Sequence, residues 1–261
     1  MHKVSVQCFG VGDGRPSVDR CHSSYLCQFG KTSILLDCGE PVTRAFKATG
    51  LNYDALDRIF ISHLHCDHIG GFFMFMQGLW LEQRRKDLTV HLPAEGIGPI
   101  RQMLNASCIF EELLGFRVKY EPLKAGQAVR LDGVQITPYL TTHLEGLRKA
   151  FHRKHPQGYE AFCFLWESGR LRIGHSGDLG KPDDLEPLLR QPLDLLICEL
   201  AHFTPEDLFN YLRGRQIKRV VFVHLDRRYW DNLRQVRALA ARMLPGMSLT
   251  FARDQQVITL R

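Results

Sequence analysis

The run His63-Leu-His65-Cys-Asp67-His68-Ile places three imidazoles and a carboxylate in one short stretch. On an extended backbone His63 and His65 point to the same side. Asp67 and His68 can then turn toward a second point a few residues on. Imidazole suits zinc, iron or manganese, and a carboxylate completes or bridges such sites. The pattern therefore reads as metal-binding, against the alternative of four unrelated polar loop residues.

The elements around the cluster fit that reading. Arg58-Ile-Phe-Ile-Ser62 is a short apolar run with β-branched residues and reads as a buried strand. Gly70-Gly71 follows, then a helical stretch from Phe72. The cluster is expected on the loop leaving a strand, where a rigid scaffold aims side chains into a cleft. One motif has too few ligands for two metals, so others must come from distant segments among the 12 His and the acidic residues. His143 closes the apolar run 134–142. Asp178 follows the strand-like Leu171 to His175 and a Ser176-Gly177 turn, and His224 closes Lys218 to Val223. Three candidates at strand ends are what a sheet presenting ligands along one rim would show. His152 and His155 compete with His143 for the ligand role. His175 reads as a satisfied strand histidine, and Cys66 as a spacer that could add a thiolate. Asp37 is expected to hold a ligand histidine or a backbone turn, because ligating imidazoles need a partner for their other nitrogen.

With these residues in this order, the chain resembles the metallo-β-lactamase superfamily, and within it the ribonuclease Z-like phosphodiesterase branch. The N-terminal Phe9-Gly-Val-Gly-Asp-Gly-Arg-Pro16 and Leu36-Asp-Cys-Gly-Glu40 are similar to that branch's glycine-rich opening and its Asp-Cys-Gly-Glu turn. His224-Leu-Asp-Arg-Arg-Tyr229 resembles its segment closing in Arg-Tyr, and His202-Phe-Thr204 resembles the place of an additional catalytic His. The resemblance runs from Val4 to about Tyr229 and implies a four-layer αββα metallo-β-lactamase sandwich of the α/β class. It implies that His63, His65 and His143 bind one divalent ion and that Asp67, His68 and His224 bind a second, with Asp178 bridging. Zinc is the expected metal, with manganese and iron as alternatives. Two such cations lower the pKa of a shared, bridging water and stabilise both oxygens of an in-line displacement. Asp67 would orient or deprotonate the nucleophilic water, and His202 would protonate the leaving oxygen.

Composition bounds the rest. The chain has 261 residues, 44% hydrophobic and 24% charged, which suits a single α/β domain over 1–261. The opening Met1-His-Lys-Val lacks the apolar run of a signal peptide, and no stretch reaches membrane-span length. The eight cysteines form no Cys-x-x-Cys and suggest a reducing cytoplasm. Phe72 to Leu81 is the most apolar segment and reads as a core helix, with a homodimer contact or a pocket wall as the lesser readings.

Strands are expected near 3–9, 24–29, 32–37, 58–62, 89–92, 117–121, 127–131, 134–142, 161–167, 170–175, 194–199 and 219–223. Helices are expected near 41–49, 72–87, 95–105, 182–190, 205–213 and 230–243, with a final hairpin or strand between Ser248 and Leu260. The order reads as two similar halves. A basic loop or short helix, Arg148-Lys149 and His152 to His155, follows His143, and Arg227-Arg228 follows His224. With the net charge of +6, these clusters favour an anionic small-molecule or nucleotide-like substrate. The interval from His143 to Asp178 is too short for the arm with which ribonuclease Z grips transfer RNA. RNA remains open as a substrate, but a small cyclic or nucleotide-like phosphodiester fits better than transfer RNA. The alternatives are an acyl hydrolase of the same fold, acting on a lactone, thioester or β-lactam, and a non-catalytic metal-binding or sensing protein.

Overall fold

The protein is described by a computed structural model covering residues 3–260; Met1, His2 and Arg261, the ends of the expected 1–261 domain, lie outside the described residues. In chain order the elements are β1 (Val4–Gly10), β2 (Ser24–Phe29), β3 (Thr32–Leu36), α1 (Val42–Ala48), β4 (Arg58–Phe60), α2 (Cys66–Ile69), α3 (Phe72–Leu81), β5 (Leu88–Leu92), α4 (Ile97–Ala106) and β6 (Val118–Pro122). Then follow β7 (Val129–Leu131), β8 (Val134–Leu140), α5 (Glu145–Phe151), β9 (Phe162–Ser168), β10 (Leu171–His175), α6 (Glu186–Leu189), β11 (Leu195–Leu200), α7 (Pro205–Leu212), β12 (Arg219–Leu225), α8 (Arg227–Asp231), α9 (Leu233–Met243), β13 (Ser248–Phe251) and β14 (Gln256–Leu260). The described residues fall into two compact units, 3–123 with 254–260, and 124–253.

The first unit holds a sheet in the order β14-β1-β2-β3-β4-β5-β6. Its first three pairings are antiparallel and its last three parallel. The second unit's sheet, β7-β8-β9-β10-β11-β12-β13, repeats that scheme of three antiparallel and then three parallel pairings. The two-halves pattern read from the sequence is thus present in the pairing itself. Parallel strands are normally buried on both faces and read as unbroken apolar runs; β3 and β11 are buried at every position.

In the first unit α1, α3 and α4 lay Phe46, Phe72, Phe75, Leu79, Ile100 and Leu104 onto Leu35, Ile59, Ile61 and Val90 of the sheet. Helix α3 is the expected core helix, but it stops at Leu81 rather than near 87. Gln83 there adopts a left-handed φ of 58°, which ends a helix. The following Arg84 is buried and donates to the carbonyls of Tyr53, Leu56 and Asp87. In the second unit α7 and α9 pack Leu208, Phe209, Leu212, Val236 and Ala240 onto Cys198, Val220 and Phe222, so the strand cysteines act as small hydrophobes.

Of the hairpin or strand expected between Ser248 and Leu260, the structure has strands but no hairpin: β13 pairs in parallel with β12, and β14 pairs antiparallel with β1 in the other sheet. Asp254, between them, accepts from the backbone N–H groups of Val11 (3.0 Å) and Cys21 (2.7 Å) and so ties this crossing to the N-terminal loop. The basic segment after His143 begins on helix α5, which carries Arg148 and Lys149 and buries none of its residues, and continues through His152 to His155 in an exposed turn. Among the described residues no helix is long and apolar enough to cross a membrane.

His91 of β5 is buried and stacks on Phe60 at 4.5 Å. Burial lowers its pKa from the ordinary 6.5 to about 4. Between those values the unfolded chain binds a proton that the folded chain does not. This contribution is therefore complete above pH 6.5 and is lost as pH falls toward 4. Urea unfolding at pH 5 and pH 7 should show His91→Leu losing less stability on acidification than the parent protein, by up to about 1.4 kcal/mol per pH unit. Parallel pH dependences in the two proteins would contradict this.

Candidate functional site

Most of the chemistry-bearing residues sit at the C-terminal ends of strands with a parallel neighbour, where open α/β sheets place ligands, while His143 follows the antiparallel β8. In the first unit β4 runs into Ser62-His63, and His65 opens the short helix α2, which carries Asp67 and His68. The rings of His63 and His65 lie 4.7 Å apart, and those of His63 and His68 4.1 Å apart. The four residues of the motif are thus one cluster, as their spacing implies.

That cluster rests on a buried carboxylate. Asp37, at the end of β3 with φ 58°, accepts from the Ser62 N–H (2.7 Å) and the Ser62 hydroxyl (2.9 Å). It also pairs with His68 Nδ1 at 2.8 Å. A carboxylate only accepts, so the proton of that bond sits on Nδ1 and a neutral His68 ring carries its lone pair on Nε2. His68 Nε2 in turn lies 3.4 Å from Asp67 Oδ2. Two ligand atoms each 2.0–2.1 Å from a tetrahedral zinc are about 3.3 Å apart, so this pair fits a shared cation. Backbone bonds fix the approach of α2 to β3, Cys38 N–H to the His68 carbonyl (2.7 Å) and Gly71 N–H to the Cys38 carbonyl (2.8 Å). A Cβ on Gly39 would sit 2.3 Å from the Asp67 carbonyl oxygen, so the Asp-Cys-Gly-Glu turn needs its glycine for this contact.

In the second unit Asp178 is the centre. Its Oδ2 lies 3.4 Å from His224 Nε2, 3.7 Å from His143 Nε2 and 3.9 Å from His202 Nε2. These separations are long for hydrogen bonds, and the first two are near the spacing of ligands on one ion. His202 is further fixed by Glu199, a fully buried carboxylate that its Nδ1 meets at 2.7 Å. Glu199 also accepts from the backbone N–H groups of Leu179 (2.8 Å) and Ala201 (2.7 Å), so one side chain orients His202 and the turn beside Asp178. The sequence reading passed over Glu199, which lies inside an apolar strand; a charged residue at a buried strand position was the available signal.

His224 reaches its place through a register shift. Glu199 pairs with Val223 and Leu200 with Leu225, which leaves His224 as an extra residue with φ 48°. Val220 and Phe222 face the helix-covered core, so strict alternation would send His224 there as well. The bulge gives that core position to Leu225 and turns His224 aside.

The competing residues separate cleanly. His152 and His155 are exposed beyond α5. His175 accepts from the Gly177 N–H at 3.0 Å and packs on Trp166, as a strand histidine should. Cys66 is exposed. Thr204, not His202, caps α7, by accepting from the Asp207 N–H at 3.1 Å.

Residues 4–171 match the family described as Anti-Pycsar protein Apyc1. The chain belongs to this family. Among curated relatives it is similar to Ribonuclease Z of Archaeoglobus fulgidus, 32% identical over 135 residues, which take in 52% of this chain and 43% of that protein. It is also similar to Ribonuclease Z of Methanothermobacter thermautotrophicus, 24% identical over 273 residues, 87% of this chain and 88% of that protein. The chain thus spans less than half the length of the first of these relatives. The metallo-β-lactamase fold protein YhfI from Bacillus subtilis superposes with a TM-score of 0.78 at 20% identity, covering 98% of this chain and 99% of that one. That likeness shows the metallo-β-lactamase fold, the αββα sandwich, and the ribonuclease Z-like resemblance is borne out by the curated relatives.

The Asp37 contacts make a direct prediction. Asp37→Asn should weaken retention of a divalent cation about 10–100-fold, the usual effect of removing a partner that orients a ligand. Competition against a chelating dye measures it, and parent-like affinity would remove Asp37 from that role.

Proposed function

We propose that this member of the Apyc1 family is a metal-dependent phosphodiesterase with two divalent cations. In this reading His63, His65 and His143 hold one cation, Asp67, His68 and His224 hold the other, and the Asp178 carboxylate is shared. Zinc suits a donor set of imidazoles and carboxylates, with manganese or iron as the alternatives. The bound ions would supply an activated water and neutralise charge on the attacked phosphate.

The observation that carries the reading is the pairing of His202 with Glu199. Nδ1 donates to the buried carboxylate at 2.7 Å, so Nε2, 3.9 Å from Asp178 Oδ2, would present a proton toward the reacting group in the doubly protonated ring, the form that a neighbouring carboxylate favours. A leaving alkoxide needs such a proton, and general acid catalysis of this kind contributes about 10²–10⁴-fold. Asp67 would orient the attacking water and take its proton. An anionic substrate is supported by Arg148 on α5 beyond His143 and by Arg227 beyond His224, while Lys149 and Arg228 are paired with Glu145 and Asp226. Between His143 and Asp178 the chain holds only α5, β9 and β10 with their loops. That economy supports a small cyclic or nucleotide-like phosphodiester over transfer RNA.

His202→Ala should keep its metal and lose about 10²–10⁴-fold in turnover of bis(p-nitrophenyl) phosphate. Unchanged turnover would remove His202 from catalysis. Asp178→Ala should purify with sub-stoichiometric metal by plasma emission spectroscopy, and full occupancy would end the shared-ligand assignment. Turnover of lactones or thioesters with none of cyclic nucleotides or aryl phosphodiesters would overturn the phosphodiesterase reading itself.

A further inference from the structure

We infer that Tyr229 is a positioning residue for His202. The inference rests on the reading of His202 as the proton donor. His202 stands in the strap 201–204, between the end of β11 and the Thr204 cap of α7. Glu199, in the adjoining strand β11, fixes the near end of the strap through Nδ1 of the imidazole and through the N–H groups of Ala201 and His202. The far end, beyond His202, needs an anchor of its own, or the ring can still tilt about the Glu199 contact.

Helix α8 supplies that anchor at both ends of the strap. Its N-cap residue, Asp226, donates its backbone N–H to the Leu200 carbonyl at 3.1 Å. One turn on, the Tyr229 hydroxyl donates to the Phe203 carbonyl at 3.2 Å. The two bonds bracket His202 on either side. Tyr229 is well placed to hold this geometry because Asp226 caps α8 by accepting from the Arg228 N–H at 2.8 Å, and the Tyr229 N–H returns to the Asp226 carbonyl at 2.8 Å. Phe203 and Tyr229 both pack against the second unit's core, so the hydroxyl leaves an otherwise apolar contact.

The same helix begins at Arg227, just past Leu225 and its cap Asp226, close after His224, whose left-handed backbone is set by the β11–β12 bulge. One rigid piece, from His224 to Tyr229, therefore sets a candidate ligand at one end and the strap of the proton donor at the other. The guanidinium of Arg228 is held back on Asp226 at 3.0 Å. The tyrosine, rather than the arginine, is thus the residue of the Arg-Tyr pair that reaches the strap.

Tyr229→Phe removes one hydroxyl and keeps the ring. A displaced catalytic group of this sort should lower kcat about tenfold, within the range that small misplacements produce. KM and metal content should stay at parent values, because the variant touches no ligand. In a His202→Ala background the same substitution should change kcat no further, since Tyr229 acts through His202. Hydrogen exchange at the amides of 201–204 should accelerate whether or not a substrate is known. Unchanged exchange there would overturn the anchoring role. Accelerated exchange with an unchanged kcat would overturn the catalytic part, and if His202→Ala were equally active it would place the failure in the reading of His202 itself. A loss that adds fully to that of His202→Ala would make Tyr229 an independent structural residue and overturn the inference.

Discussion

The structure turns on ring nitrogens held close to carboxylate oxygens. His68 Nε2 meets Asp67 Oδ2 at 3.4 Å, and Asp178 Oδ2 meets His224 Nε2 at the same distance. Left to themselves, a carboxylate and the lone-pair side of a neutral imidazole repel. The spacing becomes favourable when a cation lies between them, because two ligands on a tetrahedral zinc stand about 3.3 Å apart. Each unit thus holds a separation that would suit an ion, and in the first unit the buried Asp37 behind His68 maintains it.

Buried carboxylates repeat one device. Asp37 gathers the Ser62 N–H, the Ser62 hydroxyl and His68 Nδ1; Glu199 gathers three backbone N–H groups and His202 Nδ1. A buried carboxylate is tolerable only when its oxygens are saturated with donors. Backbone donors serve best because their positions are fixed by the strands. Each imidazole thus inherits the rigidity of a sheet through one hydrogen bond. The difference lies in what the ring is aimed at: His68 belongs to the candidate ligands, while His202 lies beyond the usual ligand spacing from Asp178. The same orienting chemistry can hold a ligand in one half and a proton donor in the other.

Most of this organisation was legible from local pattern. The strands ran close to the expected ranges because unbroken apolar runs are what buried parallel strands require, and the motif at His63 to His68 is local enough to declare itself. His143, Asp178 and His224 were legible as strand-end residues. The failures were failures of local reading. Residues 83–87 continue a helical pattern, but the left-handed Gln83 and the carbonyls gathered by Arg84 redirect the chain. Ser248 to Leu260 looks like a hairpin because two short strands are near in sequence, yet each finds its partner far away. Glu199 was hidden because its contacts are to backbone groups that only the fold assembles.

His224 shows why such a site needs more than alternation. A histidine on β12 at the parity of Val220 and Phe222 would be driven into an apolar core, where an unsatisfied imidazole is strongly unfavourable. One extra residue against β11 exchanges it for Leu225 and leaves the core intact. The bulge forces a left-handed backbone on a residue with a side chain, a strain of about 1–2 kcal/mol. The strain persists because the surroundings over-determine it: Leu225 is buried, and Asp226 is bonded to Leu200 immediately beyond. A strained residue at a strand end, fixed from both sides, holds a fixed direction, and a fixed direction is what a metal ligand has to provide.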